Sequence, residues 1–229
     1  CAILAFLEKR LHKVVPEMFD LFVTPLVSVF VTVLVTFVAV GPIFVWAENA
    51  ILGLIQALLT LPFGIGSFIV GLFYAPTVVT GIHQMYTAID LGQLAQYSVT
   101  YWLPSAANIA QGGAALAVAF KTRDAKIKGL ALPSALSAFM GITEPAIFGV
   151  NLRFFKPFIA GCIGGGCGAL VCALTSLAAS GTGVTGIFGI LLCLAQPVQY
   201  AIMFAVAALV SFAVSFVLYK DEPKASEQA

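Results

Sequence analysis

Apolar runs near or above twenty residues recur along the chain, at 21–46, 50–74, 104–120, 158–180 and 187–219. A helix needs about 20 such residues to cross the hydrocarbon core of a bilayer. Charges are scarce to match. Of 229 residues, 61% are hydrophobic and 9% are charged, and the mean hydropathy is +1.05. A water-soluble domain carries about 25% charged residues, so this chain has too few to cover a folded surface in water. Alternation at every second residue, the mark of an outer-membrane barrel, is also missing. The expected fold is an all-α polytopic membrane protein.

Eleven Lys and Arg against ten Asp and Glu leave a net charge of +1, so no nucleic-acid partner is indicated. The five cysteines, Cys1, Cys162, Cys167, Cys172 and Cys193, match no metal-ligand spacing and read as small apolar packing residues. No metal and no cofactor is expected. The run Gly161-Cys-Ile-Gly-Gly-Gly-Cys-Gly168 lacks the Lys-Ser/Thr of a phosphate-binding loop. Its small residues recur every four positions, at 161, 165 and 169 and at 164, 168 and 172, which predicts a helix face for close packing. The start at Cys1 reads as that of the C-terminal part of a longer protein, with a mature lipoprotein as the rival reading.

The organisation falls into three parts. Residues 1–20, with Glu8-Lys-Arg-Leu-His-Lys13 and a helix-breaking Pro16, predict an amphipathic segment in the membrane interface. Residues 21–219 form the membrane-embedded region, and residues 220–229 a polar tail. Within the region, 21–46 is a span kinked near its end at Gly41-Pro42. A second span, 50–74, is loosened by Pro62, Gly64 and Gly66, and a last one, 187–219, is bent near Pro197. Trp46, Tyr74, Tyr101, Trp102 and Tyr219 are expected as interfacial anchors.

Charge sets the topology. Lys121, Arg123, Lys126 and Lys128 against the single acid Asp124 place loop 121–128 in the cytoplasm, and Arg153 with Lys156, and Lys220 with Lys224, argue the same for their own positions. The apolar stretch 129–152 thus begins and ends on one side, yet two helical crossings would take about 40 residues. It is expected to be a re-entrant hairpin, with Gly141-Ile-Thr-Glu-Pro145 at its middle. A carboxylate and broken helix at membrane depth are tolerated only inside protein or beside a watery cavity, which points to a substrate site.

Glu144 could accept two sugar hydroxyls or act as a base toward one; the alternative is a pair with Arg153 or Lys156. His83, in Thr80-Gly-Ile-His-Gln-Met-Tyr86, could orient a hydroxyl or shuttle its proton, or simply bond backbone in a broken helix. Asn108, in Ser105-Ala-Ala-Asn-Ile-Ala-Gln-Gly-Gly113, brings an amide among small residues; Asn108 and Gln111 serve either a ligand or interhelical hydrogen bonding. Thr143 stands beside Glu144 as a fourth candidate contact.

Five segments occur together and in order: Glu8-Lys-Arg-Leu-His-Lys-Val-Val-Pro16, Gly41-Pro42, Gly81-Ile-His83, Asn108-Ile-Ala-Gln-Gly112 and Gly141-Ile-Thr-Glu-Pro145. In this the chain resembles enzyme IIC, the membrane component of phosphoenolpyruvate-dependent sugar phosphotransferase systems, over residues 2–219. The branch it resembles is the glucose–sucrose–trehalose one. Residues 120–128 and 146–154 look most like sucrose-specific members. The resemblance implies a homodimeric, bacterial inner-membrane protein with re-entrant hairpins. It implies His83 and Glu144 as the residues that hold the sugar hydroxyl to be phosphorylated, IIB and IIA phosphocarrier domains as partners, and sucrose 6-phosphate as the product. Trehalose and maltose are possible substrates on the same pattern. None of the five cysteines lies in the His-Cys-x-Thr-Arg context of the IIB phosphocysteine, so this stretch alone is expected to bind sugar without phosphorylating it. Residue chemistry by itself also fits an ion-coupled secondary sugar transporter with Glu144 and His83 as a proton relay, or a membrane sensor that binds without transport.

Overall fold

A computed structural model describes residues 2–13, 15–59, 61–97 and 104–221; Tyr101, Trp102 and most of the tail lie outside these. The described residues are mostly helical and contain no strand, in keeping with the all-α expectation. By backbone packing the chain divides into two compact units, Cys1–Gly53 and Leu54–Ala229.

In the first unit, α1 (Ala2–Leu11) packs against α2 (Glu17–Val35), and Pro16 separates the two. His12 Nδ1 meets Asp20 Oδ2 at 2.6 Å, and the Thr24 hydroxyl donates to Asp20 Oδ1 at 2.5 Å. Further along, Ser28, Thr32 and Thr36 each donate to the carbonyl one turn back, so these hydroxyls are satisfied within the helix. Leu21, Phe22, Leu26, Phe30 and Phe37 are exposed, as suits a helix whose solvent is lipid. The span expected to end at Trp46, with a kink at Gly41-Pro42, runs on as helix past both. A π-helical turn at Thr36–Val40 precedes the proline, the Gly41 N–H reaches back to Thr36 O, and α3 (Gly41–Leu59) continues through it. The wider turn accommodates a ring that an α-helical register would reject.

In the second unit the expected span 50–74 is broken in two. Phe63 and Gly64 both take positive φ, at 61° and 72°, directly after Pro62, and α4 (Ile65–Thr80) starts anew. Gly81, at φ 80°, caps α4 in the left-handed conformation. A 3-10 turn, Ile82–Tyr86, then leads into α5 (Thr87–Tyr97). The centre of the unit is α6 (Ser105–Lys121), buried along almost its whole length. After it come α7 (Ala125–Phe139), a π-helical turn Pro145–Asn151, α8 (Leu152–Phe154), α9 (Lys156–Leu174), a 3-10 segment Gly186–Cys193 and α10 (Pro197–Leu218). Pro197 opens α10 rather than bending a longer helix, because the first helical position needs no N–H.

The glycine face of α9 packs as its spacing predicts. A Cβ on Gly164 would lie 2.6 Å from Ser211 Cβ, one on Gly165 3.0 Å from Gly71 O, and one on Gly168 2.9 Å from both Ala106 Cβ and Ala207 Cβ. These contacts align α6 parallel to α10 and antiparallel to α9, with backbones approaching where lipid gives no hydrophobic drive between helices. Cys162, Cys172 and Cys193 are buried free thiols within this packing. Tyr74 and Tyr219, expected at the interface, are buried instead. Tyr74 packs on His83 and Tyr86, and Tyr219 on Phe154. Trp46 is exposed.

The basic positions meet at one end of this unit. Lys121 Nζ donates to Phe216 O near the end of α10. Asp221 accepts from the Thr122 hydroxyl at 3.0 Å and from the Arg123 N–H at 2.7 Å. The ring of Phe154, beside Arg153, stands 5.1 Å from that of Tyr219. The helices long and apolar enough to cross a bilayer, among the described residues, are Phe19–Ile55, Pro62–Thr80, Lys156–Leu174 and Pro197–Leu218.

Candidate functional site

Met140 caps α7, and the chain turns through Gly141, at φ 107°. Ser137 closes the turn from both sides. Its hydroxyl donates to Ile142 O at 2.9 Å and its carbonyl accepts the Ile142 N–H at 3.0 Å. Pro145 then starts the π-helical turn, which packs back along α7. The segment is therefore a hairpin whose tip is Gly141-Ile-Thr-Glu-Pro145. Two amides hold its returning limb to α6. Asn151, fully buried, donates to Gln111 O at 2.9 Å and to Gln111 Oε1 at 2.7 Å, and Gln111 Nε2 donates to Phe158 O at 3.5 Å. Gln111 is thus interhelical hydrogen bonding rather than a ligand group.

Asn108 has a different partner. Its Nδ2 donates to Thr185 Oγ1 at 3.0 Å, and the same hydroxyl donates to Gly141 O at 3.2 Å. The hairpin tip therefore lies beside Asn108, about 20 Å along α6 from Lys121 at 1.5 Å per residue. Three residues away in the same loop, the Thr182 hydroxyl donates to Asp90 Oδ2 at 2.9 Å, tying the loop to α5. Asp90, Ser105, Thr182 and Thr185 line a small cavity of about 20 Å³ together with Val184 and Leu192. That is room for about one water.

His83 lies in the 3-10 turn just before α5. Its Nε2 is 3.2 Å from Gln84 Nε2, and its ring meets Tyr74 edge-on at 6.4 Å. Its Nδ1 is buried without a hydrogen-bond partner among the described residues.

Thr143 is buried, and Glu144 is exposed at the foot of the π-helical turn. Among the described residues Glu144 forms no ion pair with Arg153 or Lys156, and the Arg153 guanidinium stands over the Phe154 ring at 5.7 Å. The structure thus brings Asn108 to the tip that carries Thr143 and Glu144. Among the described residues, no hydrogen bond, ion pair or ring contact joins that tip to His83. Among the described residues no three His, Cys, Asp or Glu side chains gather as metal ligands. Thr182 and Thr185 escaped sequence reasoning. Their one visible signal is the polar, glycine-rich run Ser180-Gly-Thr-Gly-Val-Thr-Gly186 between two apolar stretches.

The family model for the phosphotransferase system, EIIC, matches residues 1–165. A sucrose-specific EIIBC component of Bacillus subtilis is 43% identical over 232 residues, covering 96% of this chain and 49% of the relative. Its counterpart in Pasteurella multocida is 44% identical, covering 94% and 46%. A trehalose-specific EIIBC component of Escherichia coli is 35% identical over 94% of this chain and 46% of that one. The chain spans about half the length of the curated relatives it matches. No solved structure matches it. With four helices among the described residues long and apolar enough to cross a membrane, the chain is a multi-pass protein of the bacterial inner membrane and belongs to the phosphotransferase system EIIC family.

Proposed function

We propose that this chain is the sugar-binding and translocating membrane part of a phosphoenolpyruvate-dependent phosphotransferase system, and that its sugar is sucrose. The observation that carries the reading is the likeness, at 43% and 44% identity over nearly the whole chain, to two relatives named as sucrose-specific, against 35% to the trehalose-specific one. The geometry supports a sugar site at the hairpin tip, where Asn108 and Thr143 stand with Glu144 beside a turn of broken helix.

In this reading 129–152 is a re-entrant hairpin dipping from the cytoplasmic side, residues 1–20 lie in the interface, and 220–229 form a polar tail. Its depth is supported by the tip's place about 20 Å along α6 from Lys121, well over half of a roughly 30 Å core. The Glu144 carboxylate accepts hydrogen bonds from sugar hydroxyls, Asn108 both donates and accepts, and the free Nδ1 of His83 meets a further hydroxyl. Motion of the hairpin-bearing region then brings sugar to the cytoplasmic side. There the hydroxyl oxygen forms a new bond to phosphorus as the P–S bond of a IIB phosphocysteine breaks, and the hydroxyl proton passes to Glu144 or His83. The product is sucrose 6-phosphate. IIB and IIA phosphocarrier domains are the protein partners, and the working unit is a homodimer in the lipid bilayer.

Equilibrium binding of labelled sucrose to the purified chain in detergent tests the reading, with trehalose and maltose as competitors and Glu144→Gln as control. Saturable binding that is lost in Glu144→Gln supports it. A folded chain that prefers trehalose or maltose overturns the sucrose assignment. Uptake driven by a proton gradient without phosphoenolpyruvate overturns group translocation.

A further inference from the structure

We propose that Thr185 is a positioning residue of the sugar site, fixing the Asn108 amide and the Gly141–Pro145 turn at one spacing so that sugar meets both together. The inference rests on the sugar-binding reading and adds a residue to it that neither the motifs nor the relatives' names assign.

The Thr185 hydroxyl is used in both directions. It accepts from Asn108 Nδ2 at 3.0 Å and donates to Gly141 O at 3.2 Å. A hydroxyl carries a single proton, so this arrangement has a fixed polarity, and it determines which face of the Asn108 amide carries the oxygen. The second Asn108 N–H and its Oδ1 are then set in a known direction for a ligand.

The backbone around the hydroxyl leaves no slack. A Cβ on Gly141 would stand 2.8 Å from Thr185 Oγ1 and 3.0 Å from Thr185 O, so only glycine lets the loop approach the turn so closely. On the next residue a Cβ would fall 2.5 Å from Gly141 N, and Gly186 has the positive φ of 66° that suits glycine. From the other side the Tyr200 hydroxyl, in a residue 1% exposed, donates to Gly186 O. Thr185 and Gly186 are therefore clamped between α10 and the hairpin tip. Through the Thr182–Asp90 bond the same loop also holds α5, the helix that follows the His83 turn. One short loop thus links the elements carrying Asn108, Thr143 and Glu144 and the helix that follows the His83 turn.

The test compares the purified chain with Thr185→Val and Thr185→Ser in detergent, reading sucrose Kd, melting temperature, and hydrogen exchange of the amides at 141–144. Valine keeps the shape and removes the hydroxyl; serine keeps the hydroxyl. The expected result is about tenfold weaker sucrose binding and faster exchange at the turn in Thr185→Val, with both restored to within about twofold in Thr185→Ser. Wild-type affinity in Thr185→Val overturns the proposal, as does an equal loss in both variants. If the wild-type chain itself binds no sucrose, the sugar reading fails and the exchange data decide the positioning claim alone. Unchanged exchange at 141–144 in Thr185→Val then overturns it, and faster exchange in that variant only sustains it.

Discussion

The Asn151 amide donates to both oxygens that Gln111 offers, its backbone carbonyl at 2.9 Å and its side-chain Oε1 at 2.7 Å, with Asn151 wholly shielded. This pair fastens the returning limb of the hairpin to the central helix. Asn151→Leu keeps the approximate volume and removes both donated bonds, leaving the buried Gln111 Oε1 without a partner. The expected cost is about 1–3 kcal/mol of stability. In a cycle with Gln111→Leu the coupling should lie near 0.6–1.7 kcal/mol, the range for interhelical hydrogen bonds in membranes. Denaturant titration of the four proteins in micelles measures it, and a coupling of zero removes the pair from the account of how the hairpin is held.

Two glycines should respond in opposite directions. Gly164 faces Ser211 and Ala207 so closely that an added Cβ would stand 2.6 Å from Ser211 Cβ and 2.8 Å from Ala207 O. Gly164→Val therefore forces α9 away from α10, at about 1–3 kcal/mol. Gly129 in α7 has nothing within 4 Å of such a Cβ. There the gain is helix propensity alone, and Gly129→Ala should stabilise by about 0.5–1 kcal/mol. Melting temperatures of the two variants should move to opposite sides of the wild type.

That contrast marks what was legible in the sequence. The four-residue spacing of Gly161, Gly165 and Ala169 announces a close-packing face, because a helix repeats its faces at that interval whatever lies opposite. Gly141-Ile-Thr-Glu-Pro145 likewise announces its own turn, since a proline and a carboxylate in apolar sequence leave few alternatives. The helix ends were harder to read. Pro42 and Pro62 look alike in sequence, yet a π-helical turn carries α3 through one and a positive φ at Phe63 breaks the chain after the other. The turn before Pro42 buries no residue, whereas a Cβ on Gly64 would stand 2.9 Å from Ala173 Cβ in α9, a contact that no local pattern encodes. Thr185 was invisible for the same reason. Its value comes from Asn108 and Gly141, which are 77 and 44 residues away in sequence. The burial of Tyr74 and Tyr219 was missed because an aromatic near a span's end fits an interface equally well until its ring partners are known.

Acid should release the end of the chain from loop 121–128. Asp221 has its carboxyl held below the ordinary 3.8, first by the Arg123 backbone N–H and then, against some desolvation, by the hydroxyls of Thr122 and Tyr219. A depressed value in the folded state means that the attraction is fully present above about pH 3.8 and fades as pH falls through the folded value. Exchange of the Arg123 amide should be slower in the wild type than in Asp221→Ala at neutral pH, and the ratio should approach one at the acid limit. A ratio that is flat with pH would assign the protection to backbone packing instead.

The two ends of the second unit should label from opposite sides of the membrane. At one end Lys121, Arg123 and Asp221 join α6 to the end of α10, and Phe154 beside Arg153 packs on Tyr219. Such a concentration of basic groups belongs on the cytoplasmic face. At the other end the loop containing Val184 lies against Asn108, about 20 Å farther along α6. Cys162, Cys172 and Cys193 are buried, so with Cys1 and the partly exposed Cys167 replaced by serine a charged, impermeant maleimide should report introduced thiols over a low background. Lys126→Cys should react in inside-out vesicles only, and Val184→Cys in right-side-out vesicles only. Reaction of both from one side would mean that the tip of the hairpin stops short of the far leaflet's aqueous path. Reversed labelling would place the basic end outside and overturn the topology.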